Sequence, residues 1–248
     1  MNEIWKIVLL GLTGLAAGFI NVNAGGGSIL TLPALIFLGL DSTIANGTNR
    51  VGILAQNIFA VSSFRNQSVH NAKESLLYSA VTLPGAILGS ILSLRIDDVW
   101  FQRILAFVML GIVITMIIPQ RNINYNRIES SPENRKPALF VLFFIGLYGG
   151  FIQVGVGFLL MAALYHILKL NLIYVNMHKV FIVMIYTIPA LLIFAISGNV
   201  NWLYGLILGL GNGVGAYIGV KVQIRSGEKI IKVILASAIL IMAIKLFV

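Results

Sequence analysis

Long apolar runs broken by short polar stretches organise this chain. Runs able to span or re-enter a bilayer fall at about 4–20, 28–39, 44–64, 74–94, 99–118, 138–152, 158–170, 173–196, 200–220 and 229–247. The stretch 119–136 is the one long polar segment and reads as a linker. It separates a first membrane repeat, 1–118, from a second, 137–248. Two interruptions lie inside apolar segments. The first is Gly18-Phe19-Ile20-Asn21-Val22-Asn23-Ala24-Gly25-Gly26-Gly27-Ser28, the second Gly150-Phe151-Ile152-Gln153-Val154-Gly155-Val156-Gly157-Phe158. Each puts amides and glycines where a continuous helix would carry Leu, Ile or Val. In lipid, non-helical backbone survives only where protein or a wet cavity covers it. Matching breaks in two halves therefore point to an interior binding site.

The halves match beyond hydropathy. Gly18-Phe19-Ile20-Asn21 aligns with Gly150-Phe151-Ile152-Gln153, and Asn49-Arg50-Val51 with His178-Lys179-Val180. Gly85-x-x-x-Gly89 aligns with Gly211-x-x-x-Gly215, followed by Arg95 and Lys221 at like positions. This is an internal duplication. The glycine pairs read as close helix packing, and they also allow a homodimer.

Loop charge chooses between two topologies. If each break is only a kink, each half crosses four times, and the basic residues divide eight against seven. If each break is the tip of a re-entrant hairpin, each half crosses three times and the halves are inverted. One side then collects Arg65, Lys73, Arg121, Arg127, Arg135, Lys136, Lys169, Lys221, Arg225, Lys229 and Lys232, while Lys6, Arg95, Arg103 and Lys245 face the other. An excess of Lys and Arg in cytoplasmic loops favours the hairpins. The expected fold is an all-α polytopic membrane protein with two inverted repeats. Each repeat is a broken, re-entrant hairpin plus three transmembrane helices. Both termini would be periplasmic or extracellular and the linker cytoplasmic.

Composition agrees with a membrane class. The 248 residues are 58% hydrophobic and 10% charged, against about 25% charged in soluble domains. The net charge of +9 is scattered between apolar runs, which suits loop orientation rather than nucleic acid. The first 20 residues read as a membrane segment rather than a cleaved signal, since Glu3 offsets Lys6 and a similar segment recurs. Trp5, Trp100 and Trp202 sit near run ends, where interface anchors belong. Cys is absent, which removes disulfides, thiolate metal sites and thiol catalysis. No metal site, cofactor or enzymatic motif is expected.

The candidate chemistry is anionic binding. All eight acids lie at termini, in loops or at helix ends, whereas cation carriers place carboxylates deep in the membrane. The ionisable residues near apolar cores are Arg50, His178 and Lys179. Half-helices starting at Ser28 and Phe158 would point positive dipole ends inward. Gly25, Gly26 and Gly27 allow close backbone approach. Asn21, Asn23, Gln153, Thr48 and Asn49 offer neutral hydrogen-bonding groups around such an anion. Arg50 and Lys179 either supply charge to the site or snorkel to the interface. His178 is either a proton carrier or a satisfied core histidine. Gln56 and Asn57 either line the same cavity or bond between helices.

These features resemble the TauE/SafE sulfite exporter family over essentially the whole chain. The resemblance rests on the duplicated layout, on the Gly18–Gly27 break followed by Pro33, on Ala45-Asn46-Gly47-Thr48-Asn49, and on Gly149-Gly150-Phe151. Phe158-Leu159 departs from the family's usual second glycine cluster. The resemblance implies export of sulfite or a related organosulfonate across the bacterial cytoplasmic membrane. The expected protein is a secondary transporter moving a small sulfur-containing oxyanion by alternating access. A passive anion channel, or an importer of another small anion, are the alternatives.

Overall fold

The computed structural model describes residues 3–117, 128, 130 and 132–226. The expected run 229–247 and most of the 119–136 linker lie outside the described residues. All regular structure among the described residues is helical. In chain order the helices are α1 (Glu3–Ala24), α2 (Ser28–Phe37), α3 (Ser42–Asn66), α4 (Ala72–Ser93), α5 (Asp98–Ile117), α6 (Pro132–Phe151), α7 (Val156–Ala162), α8 (Leu172–Ile196) and α9 (Trp202–Ser226). A π-helical turn, Ala163–Ile167, continues α7. Among the described residues, α1, α4, α8 and α9 contain segments long and apolar enough to cross a membrane.

The outside is apolar, and the interior mixes apolar clusters with buried polar groups. Phe37, Phe107, Phe140, Leu210 and Ile196 are exposed, whereas Arg50, Asn46, Asn49, Gln56, His178 and Lys179 are buried. Such a surface is suited to lipid, because exposed hydrocarbon there costs nothing. The three tryptophans are all more than half exposed near helix starts, as interface anchors are.

The breaks are narrower than the sequence pattern predicts. The helix of α1 continues through Gly18, Asn21 and Asn23 and stops at Gly25–Gly27. Asn23 Nδ2 donates back to the Phe19 carbonyl at 2.7 Å, so this side chain folds onto its own helix. An isolated Gly or Asn costs a helix at most about 1 kcal/mol, less than leaving backbone groups unpaired in lipid. Gly25 takes φ +86°, which its missing side chain permits. The chain then doubles back, and Gly27 packs against Ala17 and Asn21 of α1. In the second half the turn covers Ile152–Gly155, with Gln153 at φ +61° and Gly155 at φ +75°.

Small residues bring helices from the two halves into backbone contact. Gly14 and Gly18 of α1 abut Leu208 and Asn212 of α9, and Gly211 and Gly215 abut Leu15. The other half repeats the arrangement: Gly146 and Gly150 of α6 abut Thr82 and Ala86 of α4, and Gly85 and Gly89 abut Leu147. Residue numbers rise together along both pairs, so α1 runs parallel to α9 and α6 parallel to α4. Val51, Ala55 and Phe59 meet Gly205, Gly209 and Gly213, which aligns α3 with α9. Ser75 meets His178 and Tyr78 meets the same ring, so the starts of α4 and α8 lie together. Gly47 and Arg50, near the start of α3, meet Phe194 near the end of α8. Thus α1, α3 and α9 run one way, and α4, α6 and α8 the other.

These glycine contacts predict a stability effect. A Cβ at Gly89 would overlap the Leu147 carbonyl, and one at Gly215 the Leu15 carbonyl. Gly89→Val and Gly215→Val should each cost about 1–3 kcal/mol through overpacking. Gly11→Val, with open space at its Cβ, should be nearly neutral. Thermal unfolding of the purified variants checks this.

Candidate functional site

The two breaks meet. A Cβ on Gly25 would lie 2.5 Å from the carbonyl carbon of Gly157, and Gly26 faces the Phe158 ring. Beside this crossing lies a small cavity lined by Asn21, Gly25, Ser28, Asn57, Gln153, Val156, Gly157, Lys179 and Val183. Its free space is about that of one water molecule. Among the described residues no carboxylate lines it, and Lys179 is its one cation.

Each of the three lining amides is held by a hydrogen bond. Asn21 Oδ1 accepts from the Gly27 N–H at 3.2 Å, which fixes the turn into α2. Gln153 Nε2 donates to the Tyr186 hydroxyl at 3.0 Å, and its Oε1 faces Arg50 at 3.4 Å. Asn57 Nδ2 donates to the Ile53 carbonyl at 2.7 Å. Ser28 opens α2, and the next N–H groups, on Ile29 and Leu30, donate to the Gly26 and Gly27 carbonyls at 3.1 and 3.0 Å.

The buried cations have a reciprocal arrangement. Lys179 of α8 donates to the Asn21 carbonyl at 2.9 Å, the Val22 carbonyl at 2.8 Å and Asn176 Oδ1 at 2.5 Å. Arg50 of α3 donates to the Gly149 carbonyl at 3.4 Å and to the Gly150 carbonyl. Asn46 adds a bond to the Phe151 carbonyl at 2.9 Å, and Ser90 one to Gly150 at 3.1 Å. Each half thus places a cation on the last carbonyls of the other half's broken helix. Those carbonyls carry the negative dipole end, and of them Asn21 also accepts from the Gly25 N–H at 2.8 Å. A buried charge needs such partners. The Arg50 guanidinium also lies 4.7 Å from the Phe194 ring centroid.

The sequence-predicted residues therefore fall into three groups. Asn21, Gly25, Gln153 and Lys179 share the cavity. Gly26, Gly27 and Arg50 stand behind its lining: Arg50 donates to Gln153, Gly27 seats α2 on α1, and Gly26 faces the Phe158 ring. Asn23, Thr48, Asn49 and His178 are absent from the lining. Thr48 Oγ1 accepts from the Asn201 N–H at 2.9 Å, Asn49 Oδ1 from the Thr31 hydroxyl at 2.7 Å, and Asn23 packs at Gly219. His178 contacts Ser75 on α4. Of the two residues left open by sequence, Asn57 lines the cavity and Gln56 does not. Ser28 is a lining residue that sequence reasoning used only as a helix start; its place directly after three glycines was the available signal.

The family model described as sulfite exporter TauE/SafE matches residues 10–246. A probable membrane transporter, ORF9, from Sinorhizobium sp. is 29% identical over 93% of this chain and 88% of its own length. A probable membrane transporter of Haemophilus influenzae is 26% identical, covering 91% of this chain and 88% of the relative. The Bacillus subtilis probable membrane transporter YjnA is 27% identical over 97% and 98%. No solved structure matches the chain.

Proposed function

The chain belongs to the sulfite exporter TauE/SafE family of membrane transporters, and from that premise we propose that it exports a small sulfur-containing oxyanion, sulfite or an organosulfonate, by alternating access. One observation carries this reading: two helix breaks meet at a buried cavity lined, among the described residues, by amide, hydroxyl and ammonium groups and by no carboxylate. Neutral donors and one cation suit a compact oxyanion. Asn21, Ser28, Asn57 and Gln153 hydrogen-bond it, and Lys179 supplies charge. Arg50, Gly26 and Gly27 hold the walls, while Asn23, Thr48 and Asn49 join the path as the helices move. The water-sized cavity favours a carrier over an open pore, since an oxyanion enters only after the breaks part.

The two halves, 1–118 and 137–248, act as inverted repeats joined by a cytoplasmic linker. The opposed directions of α1 and α6, α3 and α8, and α4 and α9 support this. The hairpins of α1–α2 and α6–α7 rock against each other in the cytoplasmic membrane, with both termini outside. His178 serves proton coupling. A homodimer would use surfaces other than Gly85/Gly89 and Gly211/Gly215, which are spent on contacts within the chain.

Thermal stability of the purified protein tests the binding step. A ligand that binds only the folded state at about 100 times its Kd adds roughly 2.7 kcal/mol, or roughly 5–10 °C for a chain of this size. Sulfite or sulfoacetate should give such a rise and ammonium none. A rise with ammonium alone would contradict the anion assignment. Saturable counterflow separates a carrier from a channel, which would instead pass steep voltage-driven current.

A further inference from the structure

We propose that Glu74 and His178 form a shared proton site that couples anion movement to a proton; this rests on the anion-carrier reading above. Glu74 is the one buried carboxylate among the described residues. It sits in the first turn of α4, where its N–H donates to the Asn71 cap at 3.3 Å. One carboxylate oxygen is fully engaged: Oε1 accepts from Arg135 at 3.0 Å and Ser130 at 2.9 Å. The other, Oε2, has no hydrogen-bond partner among the described residues. It faces His178 Nε2 across 3.9 Å, and that nitrogen is likewise unpartnered. Two buried polar atoms left open toward each other are costly unless something comes between or onto them.

A proton fits this gap. On Nε2 it turns the nitrogen into a donor aimed at the carboxylate. A normal N–H···O bond spans about 2.7–3.2 Å, so making it draws α8 toward α4 by about 1 Å. The rest of the ring is already fixed. Nδ1 contacts the Ser75 hydroxyl at 2.8 Å, and Tyr78 packs edge-on at 5.3 Å. The Tyr78 hydroxyl donates to Ser130 Oγ at 3.0 Å, and the Ser75 hydroxyl lies 3.6 Å from Met177 Sδ. The charged groups facing the pair are Arg135 from α6 and the pair itself. Lys179, the next residue on α8, points away to the α1 carbonyls. That adjacency is the mechanical link: a shift of α8 toward α4 pulls on the cation of the anion cavity. The proton also offsets the charge of the anion carried.

The test uses full-length protein in liposomes, with sulfite counterflow at zero pH gradient and an internal pH dye during sulfite uptake. Sulfite's own buffering is common to all variants. Wild type should show both counterflow and sulfite-dependent acidification. Glu74→Gln should keep counterflow while acidification falls at least about tenfold. Arg135→Gln, which removes the ion pair but leaves the Oε2–Nε2 gap, should keep acidification. The proposal is overturned if Glu74→Gln acidifies like wild type. It is also overturned if Arg135→Gln loses acidification as fully as Glu74→Gln, since the ion pair would then be structural. Should Glu74→Gln fail to fold, wild-type counterflow without acidification overturns it as well. Absence of any wild-type counterflow would instead contradict the anion-carrier reading.

Discussion

Lys179→Met is expected to reduce anion flux by about 100-fold, the largest effect of any single cavity substitution. Lys179 is 2% exposed, and its three ammonium donors are met by the carbonyls of Asn21 and Val22 and by Asn176. Methionine keeps length and apolar volume but removes the charge. Hydrogen bonds to charged groups contribute about 1.5–3 kcal/mol each, and about 1.4 kcal/mol is a tenfold change. Losing the cation's share of anion binding therefore supports a loss of that size. Stability should fall too, by about 1–3 kcal/mol, because the Val22 carbonyl is left without a donor, while the Asn21 carbonyl keeps the Gly25 N–H at 2.8 Å. Lys179→Arg keeps charge but not the compact geometry, and should rescue flux only in part. Flux normalised to folded protein, together with thermal unfolding, separates the two losses. Normal flux in Lys179→Met would remove this residue from the site.

Gly25→Val is expected to be the most damaging backbone substitution. Gly25 holds φ +86°, a conformation that costs a side-chain-bearing residue about 1–2 kcal/mol. Its Cβ would lie 2.5 Å from the Gly157 carbonyl carbon and 2.7 Å from the Phe158 nitrogen. Backbone cannot step aside as a side chain can, so overpacking adds about 1–3 kcal/mol. The sum, about 2–5 kcal/mol, is a large share of a typical folding stability of about 5–15 kcal/mol. Gly39→Val shares a positive φ but has open space, so it isolates the strain from the clash. Recovery of monodisperse protein and its melting temperature read the effect. A Gly25→Val protein as stable as Gly39→Val would mean that the two breaks do not touch.

Much of this arrangement was legible in the sequence, and the rest was not for physical reasons. Hydropathy declared the membrane class, because lipid tolerates few charged residues. The triple glycine marked the first turn, since few other sequences reach φ +86° without strain. The pattern placed the start of that break too early, at Gly18. It counted Asn21 and Asn23 as interruptions, whereas Asn23 bonds its own helix. The partners of Arg50 lie 99 to 103 residues away, and periodicity carries no signal for such pairs. The same distance hid the reciprocal capping and the gap between Glu74 and His178. The glycine pairs were read correctly as packing surfaces, but not which helix each would meet.

In the proposed carrier cycle, the meeting point of the breaks binds a sulfur oxyanion. The most direct measurement is sulfite flux in proteoliposomes, run against sulfate, sulfoacetate and a cation control. Saturable, sulfite- or sulfonate-selective counterflow that collapses in Lys179→Met is the predicted result. Flux of the cation, or sulfur-oxyanion flux indifferent to Lys179, would contradict the account.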